Sequence, residues 1–213
     1  GARDVMVYVE PSMSINQYRV RGTHRLEGKV NSPPCIKSVD VPAIGDKQVA
    51  EVLRNLMAVN DPAVVAQVLG WYSLCHLKTH LMKLYSQFPL LSLWGQAGAG
   101  KTMTAVLFSG LSGCNPASED GSLSLAGITP FAVTNFCSST TTVPRILEEF
   151  NKSKLTQRNY DHCGEVMKMS WNQQVVAKGT IRRSNANGKG RSGADVVEYP
   201  ISSPLVVTSE QAP

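Results

Sequence analysis

The chain has 213 residues, of which 42% are hydrophobic, and carries a formal net charge of +5. That length suits one large domain, or a core with an appendage, with enough apolar mass for a packed interior. No apolar run approaches the length that crosses a bilayer, and the opening segment with Arg3 and Asp4 lacks the pattern of a secretory signal, so no membrane partner is expected. The five cysteines, at 35, 75, 114, 137 and 163, form no C-x-x-C pair and have no histidine at metal-ligand spacing. They read as reduced, buried thiols of an intracellular protein. The positive charge leans toward a polyanionic partner.

Residues 1–42 read as short strands, at 5–9, 17–21 and 36–41, separated by Pro11, Gly22, Gly28 and the Pro33-Pro34 pair. The abrupt start on a strand suggests a piece of a longer polypeptide. From Asp46 the apolar period becomes helical, with Val49, Val52, Leu53, Leu56 and Met57 on one face. Asp61-Pro62 supplies an N-cap and a first-turn proline for a second helix predicted over 62–86, apolar around most of its girth and so buried on several sides. Its Trp71, Tyr72, His76 and His80 read as core or interface packing in preference to ligands. Together these helices make a helical segment over 43–86, ahead of a core over 87–213.

That core opens on the most specific feature of the chain. Phe88-Pro89-Leu90-Leu91-Ser92-Leu93-Trp94 reads as a buried parallel strand, and residues 103–110 as a buried helix ending near Gly110 or Gly113. Between them, Gly95-Gln96-Ala97-Gly98-Ala99-Gly100-Lys101-Thr102 fits the phosphate-loop pattern G-x-x-x-x-G-K-[ST] at every fixed position. Glycines let the backbone curl so that its N–H groups face a nucleotide's β- and γ-phosphates, with the positive end of the next helix behind them. Lys101 then neutralises phosphate charge and Thr102 ligates Mg²⁺, so a nucleoside triphosphate with Mg²⁺ is expected, and ATP in particular is what the family resemblance given below implies. No guanine-reading Asn-Lys-x-Asp sequence is present.

Asn115 to Gly127 is small and polar and reads as a surface connection, and Thr129-Pro130 starts a helix through Phe131, Val133 and Phe136. In Val143-Pro144-Arg145-Ile146-Leu147-Glu148-Glu149-Phe150, a short apolar run ends in two acids. A second catalytic strand of a phosphate-loop ATPase needs that pattern, one carboxylate for the Mg²⁺ shell and its neighbour for the attacking water. Arg145 is out of keeping with a buried strand. From Gln174 to Gly193, the cations Lys178, Arg182, Arg183, Lys189 and Arg191 stand among glycines with no acid. That composition suits a flexible basic hairpin or loop that tracks a phosphate backbone, although one of its arginines could instead reach a neighbouring subunit's nucleotide. Finally, Pro204 to Gln211 reads as a buried strand whose polar end would place a γ-phosphate sensor beside the loop.

In this order, the pieces over roughly 62–213 resemble the ATPase core of phage and plasmid primase-helicase replication proteins, allied to superfamily 3 helicases. The resemblance implies an α/β P-loop NTPase fold of the RecA/AAA+ kind, with a mainly parallel sheet and a helical and short-strand N-terminal appendage. It implies a homo-oligomeric ring, a basic hairpin in the channel on single-stranded DNA, a fused or associated primase and a cytoplasmic location. Carried over residue by residue, Lys101, Glu148 and Glu149 would be catalytic, Glu148 toward Mg²⁺ and Glu149 toward water. Ser209, Glu210 or Gln211 would be the sensor, and Arg183 or Arg191 the arginine finger. The family often has Asn after Thr-Ser, where this chain has Glu210, and its core usually continues past the position of Pro213, so truncation is expected at both ends. The expected function is an ATP hydrolase that acts as a DNA helicase or translocase. Two rivals stand beside it, an ATP-dependent loading or packaging switch and a small-molecule kinase.

Overall fold

A computed structural model describes residues 45–112, 121–181 and 194–211, with residues 178–181 and 194–197 described through their backbone alone. The strands expected in 1–42, the thiols Cys35 and Cys114, and Arg182, Arg183, Lys189 and Arg191 lie outside these residues. The chain forms α1 (Asp46–Met57), α2 (Pro62–Cys75), α3 (Lys78–Tyr85), β1 (Leu91–Trp94), α4 (Lys101–Ser109), β2 (Ser122–Ser124) and α5 (Pro130–Cys137). It continues through β3 (Arg145–Glu148), α6 (Gln157–Asn172), β4 (Val175–Ile181), β5 (Ala194–Pro200) and β6 (Leu205–Ser209). The helix starts obey local chemistry: the Asp61 carboxylate accepts from the Ala63 N–H ahead of α2, and the Thr129 hydroxyl accepts from Ala132 ahead of α5.

Four strands pair in parallel in the order β1, β6, β3, β2, so the fold is α/β with a parallel sheet covered on both faces. Strand parity divides the core. Ile146 and Val206, partners in register, join Val65, Val68, Trp71, Tyr72, Phe88, Ala105 and Phe108 on the α2 and α4 side. Leu147, Leu205 and Val207 face the other way, onto Val133, Cys137, Cys163 and Val166 of α5 and α6. Cys75, Cys137 and Cys163 are free and buried, as expected, and burial raises the pKa of each.

Four expectations change. The helix predicted over 62–86 is two helices that break at His76 and Leu77, and α2 buries one face, at Val65, Val68, Tyr72 and Cys75. Val64, Leu74 and Leu77 are exposed, and so is His80, while Trp71 and Tyr72 are in the core. The break brings Lys78 into the interior, where its ammonium donates to the Ser202 carbonyl and lies 5.3 Å from the centre of the Phe88 ring. Burial lowers the pKa of Lys78 to about 8, partly offset by the neighbouring Cys75. Second, β1 is half-buried with alternating exposure, because only β6 flanks it among the described strands. Third, Ser122-Leu123-Ser124 in the expected connection is β2, paired with Ile146, Leu147 and Glu148. Fourth, Arg145 is compatible with a buried strand: it is 1% exposed, donates from Nε to the Ser139 hydroxyl at 2.8 Å and lies over the Phe136 ring at 4.8 Å.

β4 and β5 form an antiparallel hairpin, in register from Val175 with Pro200 to Ile181 with Ala194. Lys178 stands in β4 opposite Val197. The hairpin is inserted between α6 and β6, so its base joins the sheet at the N-terminal end of β6. There the Ile201 N–H donates to the Gln174 carbonyl, and Tyr199 meets Phe131 edge to face.

Candidate functional site

The C-terminal ends of parallel strands and the helix starts that follow them form the natural ligand edge of such a sheet. β1 runs into the glycine loop, which stays tied to the sheet where the Gly95 N–H donates to the Ser209 carbonyl at 3.2 Å. Gly98 and Gly100 have φ values of +79° and +76°, and a Cβ at either would meet no atom within 4 Å. The loop therefore needs glycine for its left-handed backbone and not for room. Gly100 is the N-cap of α4, which leaves unpaired N–H groups of the first turn at the loop. Lys101 Nζ donates to the carbonyls of Gly95 and Gln96 at 2.8 and 2.7 Å. A phosphate oxygen is a stronger acceptor than either neutral carbonyl.

The loop is one wall of a cleft of about 360 Å³, within the usual range for small-molecule sites. Ala97, Gly98, Gly100, Lys101, Thr102 and Met103 line that wall. Facing them are Glu149, Asn151, Thr208, Ser209 and Glu210, from the ends of β3 and β6. Gly95, Gln96 and Ala99 shape the loop without lining the cleft.

Glu149 enters the cleft because the backbone turns there. Its φ is +62°, a left-handed conformation that costs a non-glycine residue about 1–3 kcal/mol and clusters at functional sites. Neighbouring bonds hold it: the Glu149 N–H donates to the Thr208 hydroxyl at 3.2 Å, and the Phe150 N–H to the Thr208 carbonyl at 2.9 Å. Glu148 is partly buried at the end of β3 and does not line the cleft. By parity it shares the face of Ile146, the face that α4 covers. The structure thus brings Lys101, Thr102 and Glu149 together and leaves Glu148 beside them.

At the β6 end, Ser209 and Glu210 line the cleft, whereas Gln211 is exposed and donates its N–H to the Ser209 hydroxyl. Two residues that sequence reasoning missed hold this wall together, Asn151 within its lining and Lys154 behind it. Lys154 lies 2.9 Å from the Glu210 carboxylate and 3.5 Å from that of Glu149. Its hydrogen bond and charge hold Glu210 below the usual carboxylate range, and the same contact raises Lys154. Asn151 is 6% exposed, and its Oδ1 accepts from the Ser209 hydroxyl at 3.0 Å and the Glu210 N–H at 2.9 Å. Their signal was position alone: both follow the acidic pair within a few residues.

Among the described residues, no group of three or more His, Cys, Asp or Glu side chains gathers as for a metal ion, and no helix is long and apolar enough to cross a membrane. Comparison of the chain with protein-family models, with curated proteins and with solved structures finds no match.

Proposed function

We propose that this chain is the P-loop ATPase core of a helicase or translocase that couples ATP hydrolysis to movement along single-stranded DNA. One observation carries the reading. Two segments some fifty residues apart, the loop with Lys101 and Thr102 and the strand end with Glu149, face each other across a single cleft at the C-terminal edge of a parallel sheet. A phosphoryl-transfer site needs this pairing of phosphate-binding backbone and water-orienting carboxylate, because its catalysis is mostly positioning and charge stabilisation.

In this reading the loop N–H groups and Lys101 hold the triphosphate. Thr102 and the acidic pair would supply the one or two protein oxygens that Mg²⁺ bound with a nucleotide needs. Bound there, it would neutralise charge on the phosphates. Glu149 takes the proton-accepting side of the attacking water, and Glu148 keeps the metal assignment on its strand parity with the α4 face. The β4–β5 hairpin supports the translocase part, since two paired antiparallel strands flank the basic segment in sequence. The resemblance supplies the rest of the proposal: a ring of identical subunits, an arginine from Arg183 or Arg191 acting in trans, and an associated primase.

The test is steady-state ATP hydrolysis with and without single-stranded DNA. Activity that DNA stimulates and Glu149→Gln removes supports the motor. Hydrolysis indifferent to DNA favours a switch, and phosphate transfer to a small acceptor favours a kinase.

A further inference from the structure

The geometry points to Asn151, and not to the β6 end, as the group that reads the terminal phosphate and so distinguishes ATP from ADP. This inference rests on the triphosphate reading of the cleft.

The orientation of the Asn151 carboxamide is fixed by its partners. A backbone N–H can only donate, so the atom 2.9 Å from the Glu210 nitrogen must be the amide oxygen. The same oxygen accepts the Ser209 hydroxyl, which is itself oriented by accepting the Gln211 N–H at 3.2 Å. With Oδ1 engaged twice, the Nδ2 end carries its two N–H donors with no acceptor among the described residues. Yet the residue is 94% buried and lines the cleft. The carboxamide is clamped through its oxygen while its nitrogen stays accessible, so its place in a cleft facing Lys101 leaves two N–H donors for an anionic ligand.

The choice of phosphate follows from the neighbouring base. The Asn151 N–H donates to the Glu149 carbonyl at 2.7 Å, so both side chains spring from one tight turn on one wall. If Glu149 orients the water that attacks, the donor beside it faces the phosphate under attack, which is the terminal one. Ser209 and Glu210 then act as positioning residues: they aim the carboxamide and do not themselves bind phosphate.

The experiment is equilibrium titration of the full chain with a fluorescent ADP and a fluorescent, non-hydrolysable ATP analogue, each with Mg²⁺. Asn151→Asp keeps the size of the side chain and its acceptor for Ser209 and Glu210, but replaces the donor with a negative oxygen. The expected result is a loss of roughly tenfold or more in ATP-analogue affinity, with ADP affinity within about twofold of the parent. Ser209→Ala, which loosens the aim without adding charge, should shift the same ratio by a smaller factor, and this variant carries the test if Asn151→Asp does not fold. An unchanged ratio, or equal losses for both nucleotides, overturns the role of Asn151 and leaves the nucleotide site standing. Failure of the parent chain to bind either nucleotide overturns the site and the inference together.

Discussion

The two walls of the cleft are built by opposite means. The loop wall, residues 95–102, is contiguous and made from backbone: glycines at positive φ curl the chain along the cleft, and the only charged side chain involved is Lys101. The facing wall is assembled from side chains that clamp one another across the fold, such as Ser209 on Asn151, residues 58 apart in sequence. A backbone wall shows as a fixed spacing of residue types. A side-chain wall shows only when the strands that carry it are aligned.

Substitutions on each wall can break this comparison. The largest effect is expected at Glu149→Gln, which should retain nucleotide and lose about 10²–10⁴-fold in turnover as a general base is removed. Phosphate-release kinetics at saturating ATP check it. On the loop wall, Lys101→Ala should weaken an ATP analogue by about 3 kcal/mol, roughly a hundredfold, in equilibrium titration. If it does not, the backbone alone carries the phosphates.

Smaller effects sharpen the contrast between the kinds of glycine. Gly100→Ala must hold a Cβ at a φ of +76° and should cost about 1–2 kcal/mol in chemical denaturation. Gly70, inside α2 and with nothing within 4 Å of a built Cβ, should behave oppositely, Gly70→Ala gaining about 0.5–1 kcal/mol. A further effect, dependent on pH, concerns Lys78. The folded chain releases this proton near pH 8, while the unfolded chain keeps it to about 10.5, so its burial penalty is relieved as pH rises across that window. Stability of the parent relative to Lys78→Met should therefore rise between pH 8 and 10.5, as read by denaturant titration at each pH.

What the sequence made legible follows the same division. The order strand, glycine loop, helix was readable because each piece has a local cause, as were the caps at Asp61 and Thr129 and the terminal strand at 205–209. β2 was hidden because a three-residue Ser-Leu-Ser strand has one apolar residue, and its identity comes from pairing with β3. The break between α2 and α3 has no glycine or proline to announce it, and it exists where Lys78 reaches Ser202, 124 residues away. Arg145 looked foreign to its strand until Phe136 and Ser139 were placed over it. In each case the deciding contact joins elements distant in sequence.

The junction from Ile201 to Pro204, between the hairpin and β6, bears on how a motor of this design could deliver work. Its backbone is held at every step: Ile201 by Gln174, the Ser202 carbonyl by Lys78, Ser203 by Cys137 and Ser170, and Pro204 by Arg145. Hinges need residues free to change φ and ψ, and this joint has none to spare. The base of the hairpin is therefore fastened to the sheet at each residue of the junction. In the proposed motor, a stroke triggered at the far end of β6 would have to carry the sheet and the hairpin base together as a rigid body.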